Sequence, residues 1–170
     1  MILLSPPHVR SLARNEPGTF PALMDLYECN YINMRRLIPT LPKQPVALVS
    51  HIPDGLDLHL RLIERFRYTS ELSLTYYFSE RDGLFPEPDL RIRIYHDARL
   101  AEVLNAQLRR FPAFDSELFS FQHADGTLLH RRWQINRFLF KWLNYCLRQG
   151  HRFSEIPSPS LVGSPSTLKI

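Results

Sequence analysis

The sequence predicts an α+β domain: an antiparallel sheet of about four to five strands, with an N-terminal and a C-terminal helix packed on one of its faces. Two patterns and the composition carry this. Leu90, Ile92, Ile94 and His96 alternate with Arg91, Arg93, Tyr95 and Asp97, the period-two signature of a strand with one buried side. Apolar residues recur at helical spacing over Thr19–Leu37 and again over Leu129–Gln149, which reads as two amphipathic helices. In 170 residues, 44% are hydrophobic and 22% charged, enough for one ordinary core.

In chain order, residues 1–18 read as a flexible arm framed by Pro6-Pro7 and Pro17-Gly18. The first helix begins at Thr19, whose side chain can cap. Pro21 sits in the first turn, where a missing N–H costs nothing. Arg35 and Arg36 suit the negative end of the helix dipole, and Pro39 and Pro42 stop the helix. Asn30 is the polar intrusion on the apolar stripe, expected to bond a neighbouring backbone group. Residues 43–52 form a short edge strand, with Pro45 near its start, and Pro53-Asp54-Gly55 is a turn.

The strand Leu56–Arg65 places Leu56, Leu58, Leu60 and Leu62 inward and Asp57, His59 and Arg61 outward. Tyr68–Phe78 places Leu72, Leu74, Tyr76 and Phe78 inward and Glu71, Ser73, Thr75 and Tyr77 outward. Ser79–Pro88 reads as a loop leading to the strand Leu90–Asp97. Ala98–Leu108 stays open between helix and strand, because both Ala101/Val103 and Leu100/Leu104 are apolar. Phe111–Phe121 reads as an irregular cover for a sheet edge, and Ala124–Thr127 as a turn. The last helix, Leu129–Gln149, has Gly150 in the left-handed capping position. The domain is expected to span 19–153, with 154–170 a disordered tail.

Three blocks carry a family resemblance: Met34-Arg35-Arg36-Leu37-Ile38-Pro39; Arg93-Ile94-Tyr95-His96-Asp97-Ala98 with Ala101-Glu102-Val103; and Gln134-Ile135-Asn136-Arg137-Phe138-Leu139 through Trp142-Leu143-Asn144-Tyr145-Cys146-Leu147 with Gly150. Over residues 20–152 the chain resembles the YqiB-like family of small proteobacterial proteins of unknown function. The resemblance implies one α+β domain and a strand over 98–108. It implies no activity, cofactor or catalytic residue.

The residues exclude several classes. Gly-x-Ser-x-Gly, phosphate-loop, Gly-x-Gly-x-x-Gly and Cys-x-x-Cys patterns are absent, and six glycines leave little for a nucleotide cradle. No apolar run approaches about 18 residues, so no membrane span is expected. The opening four residues do not read as a signal peptide. Cys29 and Cys146 lie on apolar helix faces, as buried thiols in a reducing compartment would, which points to the cytoplasm. The net charge of +4 contains no run of Lys/Arg longer than two; solubility explains it more simply than nucleic acid does.

The expected binding set is Arg91, Arg93, Tyr95, His96 and Asp97, with His59 and Arg61. Arginines beside aromatics on an open sheet can hold a partner protein or small ligand, or an RNA backbone. The interleaved Asp57 and Glu71 equally describe a solvated face. His96, Asp97 and Glu102 are the candidates for hydrolase or metal chemistry. Parity opposes a shared metal site, because His96 carries apolar parity and His59 polar. His96 is therefore expected to be buried at a strand end on a hydrogen bond. A non-enzymatic binding domain without cofactor or metal is the reading the sequence favours; oligomeric state is left open.

Overall fold

The structure is a computed structural model and describes residues 15–108 and 128–154. The expectations for most of the N-terminal arm, for Phe111–Phe121, for the 124–127 turn and for nearly all of the tail lie outside these residues. The elements run α1 (Phe20–Leu37), β1 (Val46–Ser50), β2 (Leu58–Arg65), β3 (Thr69–Glu80), β4 (Gly83–Pro86), β5 (Asp89–Tyr95), β6 (Leu100–Gln107) and α2 (Leu128–Gln149). The sheet is antiparallel in the order β1-β2-β3-β5-β6, with β4 folded back on the end of β3.

Register explains the core. Leu60, Leu74, Leu90 and Ala106 lie side by side across four strands, and Leu62, Leu72, Ile92 and Val103 form the next row. Met34 and Leu37 of α1, and Leu139, Leu143 and Cys146 of α2, close over these rows. Each large apolar side chain so buried contributes roughly 1.5–3 kcal/mol before the entropy of ordering it is subtracted. Thr19 caps α1 through its hydroxyl, which accepts from Ala22 N–H, and Gly150 ends α2 at φ +95°. Both helices therefore lie on the apolar face; among the described residues no helix covers the other. No described helix is long and apolar enough to cross a membrane.

Three local readings change, and one left open is settled. Ser79–Pro88 is not simply a loop: β3 runs on to Glu80 and pairs with β4, where the Phe78 and Phe85 rings stack at 5.8 Å. That added hairpin brings the sheet to six strands. Leu56 lies before β2 begins and is 45% exposed instead of inward. The strand expected to reach Asp97 ends at Tyr95, which leaves His96 and Asp97 in the turn to β6. Residues 100–107 form a strand, as the family resemblance implied, and a bulge at Leu104 switches the inward positions from Ala101 and Val103 to Ala106 and Leu108. That switch is why alternation alone did not separate a strand from a helical stripe over this segment.

Candidate functional site

The uncovered face of the sheet is built in rows by strand register. One row reads Ala47, Arg61, Ser73, Arg91, Asn105. Beside it, toward one end, lie Val49, His59 and Thr75. On its other side lie Glu64, Glu71, Arg93 and Glu102, and beyond them Thr69, Tyr95 and Leu100. Five of the seven expected residues thus share this face: His59, Arg61, Arg91, Arg93 and Tyr95.

Glu71 is the hub of the arginine group. Its Oε2 accepts from Arg91 Nε at 2.9 Å and Nη2 at 2.6 Å. Its Oε1 accepts from Arg93 Nε at 3.1 Å and also from Arg93 Nη2. The side chain of Glu71 is only 9% exposed, against 49% for Arg91 and 38% for Arg93. Expected as one charge on a solvated face, Glu71 is instead a buried carboxylate roofed by two guanidiniums. Hydrogen bonds from Arg93 and then Arg91 hold its carboxyl below the usual range. Arg91 and Arg93 are therefore fixed in orientation, with part of their donor capacity already committed.

A second carboxylate gathers a different set. Glu102 Oε1 accepts from the Tyr95 hydroxyl at 2.6 Å and Oε2 from the Tyr27 hydroxyl at 2.9 Å, with Arg132 Nη1 3.9 Å away. Burial first, and the neighbouring Glu102 second, push the Tyr95 hydroxyl above its ordinary value. This cluster ties β5 and β6 to both helices. Tyr27 sits on the helical stripe and reads there as core, so nothing in its position marks it as a partner of Glu102.

His96 and Asp97 do not join the face. His96 Nε2 shares a 2.8 Å hydrogen bond with the hydroxyl of Ser70, which is buried on the core side. His96 itself is half-buried, not fully enclosed, and burial lowers its pKa, with Arg65 and Arg35 acting in the same sense. Asp97 is exposed in the turn. Glu102 faces the opposite side of the sheet, so His96, Asp97 and Glu102 do not converge. Among the described residues no three His, Cys, Asp or Glu side chains are grouped to hold a metal.

A cleft of about 200 Å³ opens on the uncovered face over β1, β2 and β3. His59, Arg61, Ser73, Thr75, Tyr77 and Asp89 line it, together with β1. The His59 and Tyr77 rings meet edge to face at 4.7 Å. Burial pushes the Asp89 carboxyl above its ordinary value, and Arg61 opposes that shift. A second cavity, about 230 Å³, lies between the helices beside Trp133, Arg137, Phe140 and Lys141. The uncovered face thus offers an arginine, ring edges, hydroxyls and an acceptor in one depression.

Comparison with known proteins adds family and not chemistry. The family described as "Protein of unknown function (DUF1249)" matches residues 33–152. The chain is 33% identical over 134 residues to the uncharacterized protein YqiB of Escherichia coli K12, a match that covers 77% of this chain and 90% of that protein. The YqiB proteins of strains O6:H1 and O157:H7 match at the same identity and coverage. No solved structure matches. The span matched by the family takes in the C-terminal end of α1, the whole sheet and α2, and so the chain belongs to the DUF1249 family, the family of uncharacterised YqiB-like proteins.

Proposed function

We propose that this protein is a non-enzymatic binding module that receives a partner protein or ligand on the uncovered face of its sheet. One observation carries the reading: both helices pack on the apolar face, and the opposite face holds a cleft with Arg61, His59, Tyr77 and Asp89 around it. Pockets that mix a few oriented polar groups with apolar walls are where proteins take up ligands. Arg61 is the main charge offered to a partner, because it forms no ion pair within 4 Å among the described residues, whereas Arg91 and Arg93 are braced on Glu71. Asp89, Glu64, Glu71 and Glu102 break up the positive face, which disfavours a continuous polyphosphate chain and suits a discrete anionic group. Cytoplasmic residence belongs to the same reading, supported by two buried free thiols, Cys29 and Cys146.

The test is affinity capture from the native cell with the wild-type chain and with Arg61→Glu and Tyr77→Ala variants. A protein or ligand retained by the wild type and lost by both variants is the expected outcome. Capture unchanged in both would overturn the assignment to this face.

A further inference from the structure

The two rims of the sheet differ, and the difference points to how a partner is held. β1 is the terminal strand, and among the described residues the backbone of Val46–Ser50 pairs with β2 alone. Natural edge strands are usually guarded by charged side chains or bulges. β1 is Val-Ala-Leu-Val-Ser: it has no charge, and its register with β2 is unbroken. Val46 and Leu48 point to the core side but are only half-buried. Ala47 and Val49 point to the uncovered face, and Val49 is 42% exposed. Pro45 and short length are the guards that remain.

We propose that β1 is a strand-addition site for an extended peptide segment of a partner protein, bearing an acidic residue that reaches Arg61. This rests on the binding reading of the uncovered face and specifies its occupant. An added strand would lie about 4.8 Å outside β1 and send alternate side chains over the uncovered face. The row that starts at Ala47 continues to Arg61. Ala47 is the smallest side chain of β1, so an acidic side chain placed opposite it passes over a methyl group to the guanidinium. Two residues along, the next side chain lies against Val49 and the His59–Tyr77 pair, which favours an apolar residue there. Side chains on the other face would complete the cover over Val46 and Leu48. Main-chain hydrogen bonds supply affinity, and the Arg61 row supplies selection.

The experiment uses a random peptide library panned on the full chain, followed by amide hydrogen exchange of β1 with the enriched peptide, synthesised and saturating. The expected peptides carry an acidic residue two positions from an apolar one. They add protection to amides within 46–50. Arg61→Glu and Val49→Lys, both verified as folded by circular dichroism, each weaken binding by about tenfold. Panning on Arg61→Glu enriches basic residues in place of acidic ones. An absence of enrichment, enriched peptides indifferent to Arg61→Glu, or a concentration-dependent dimer that itself protects 46–50 would overturn the proposal. A peptide that is weakened by Arg61→Glu yet leaves 46–50 unprotected would remove strand addition while leaving the uncovered face as the site. Loss of both effects would remove the face as well.

Discussion

The β6 rim and the β1 rim are both ends of one sheet, yet among the described residues they are held differently. Along β6, Asn136 Oδ1 of α2 accepts from the Val103 amide at 3.0 Å. Asn136 Nδ2 donates to Arg132 O, and its own carbonyl accepts from Asn30 Nδ2 of α1 at 3.2 Å. Tyr27 and Arg132 close on Glu102 from the helices. A buried amide at a sheet edge needs such a partner, because leaving it unpaired costs the full desolvation penalty. Among the described residues β1 is fastened at its end: the Ser50 hydroxyl accepts from Arg152 N–H and shares a hydrogen bond with His151 Nδ1, and Phe153 N–H donates to Leu37 O. Among the described residues the helices bond the Val103 amide and Glu102 at the β6 rim, whereas the backbone of β1 pairs with β2 alone.

The contrast is broken most severely at Asn136. Asn136→Ala should destabilise the protein by about 2–4 kcal/mol, since it orphans the Val103 amide and opens a small void. Urea unfolding would measure it. A loss below about 1 kcal/mol would mean that the β6 rim does not depend on this cap.

The next effect lies at the end of β1 and depends on pH. Burial lowers the pKa of His151, opposed by the Ser50 hydrogen bond and by Asp57, so the folded state binds its proton more weakly than the unfolded chain. Above the ordinary histidine value both states are neutral and the term vanishes. As pH falls below about 6.5, the unfolded state takes the proton first, and stability drops by at most about 1.4 kcal/mol per pH unit. His96, lowered mainly by burial with Arg65 and Arg35 adding to it and Asp97 opposing, acts in the same direction. His151→Gln should therefore flatten the slope of unfolding free energy between pH 7 and pH 5. An unchanged slope would show that His151 is not the group responsible.

How much of this was legible follows from which interactions are local. Thr19, Pro21 and Gly150 announce the helix ends because capping is decided within a few residues. Leu90, Ile92 and Ile94 announce their face because strand parity is a property of the strand alone. Asn30 was readable as a backbone-bonded side chain because a polar group on an apolar stripe must find a partner. Leu104 was not legible: a bulge is settled by the partner strand, and it reverses parity in mid-segment. Glu71 was legible as a neighbour of the arginines but not as a buried one, since its burial comes from two side chains folding over it. Tyr27 and Glu102 stand 75 residues apart in sequence and meet only because α1 packs along β6. β4 was hidden by Arg81-Asp82-Gly83, whose loop-like residues are those of a tight turn between strands.

Tyr27→Phe tests the closed rim more gently. It removes one hydrogen bond to a carboxylate that keeps Tyr95, and should cost about 1 kcal/mol. The same change in a Glu102→Gln background should cost less, because the carboxylate that strengthens the bond is gone. Equal costs in both backgrounds would show that Tyr27 acts through packing alone.

The smallest effect on stability is expected at the open rim. Val49→Lys places a charge on an exposed position of β1 and should shift unfolding free energy by no more than about 0.5 kcal/mol. If the β1 rim exists only as the outer wall of the fold, nothing else should change. If it is a docking strand, the same substitution installs the guard that β1 lacks, and association should fall while stability holds. A Val49→Lys protein that unfolds as wild type but no longer captures what the wild type captures would separate the two rims by function. Loss of stability comparable to that of Asn136→Ala would instead make β1 a structural rim like β6, and the contrast between the two edges would fail.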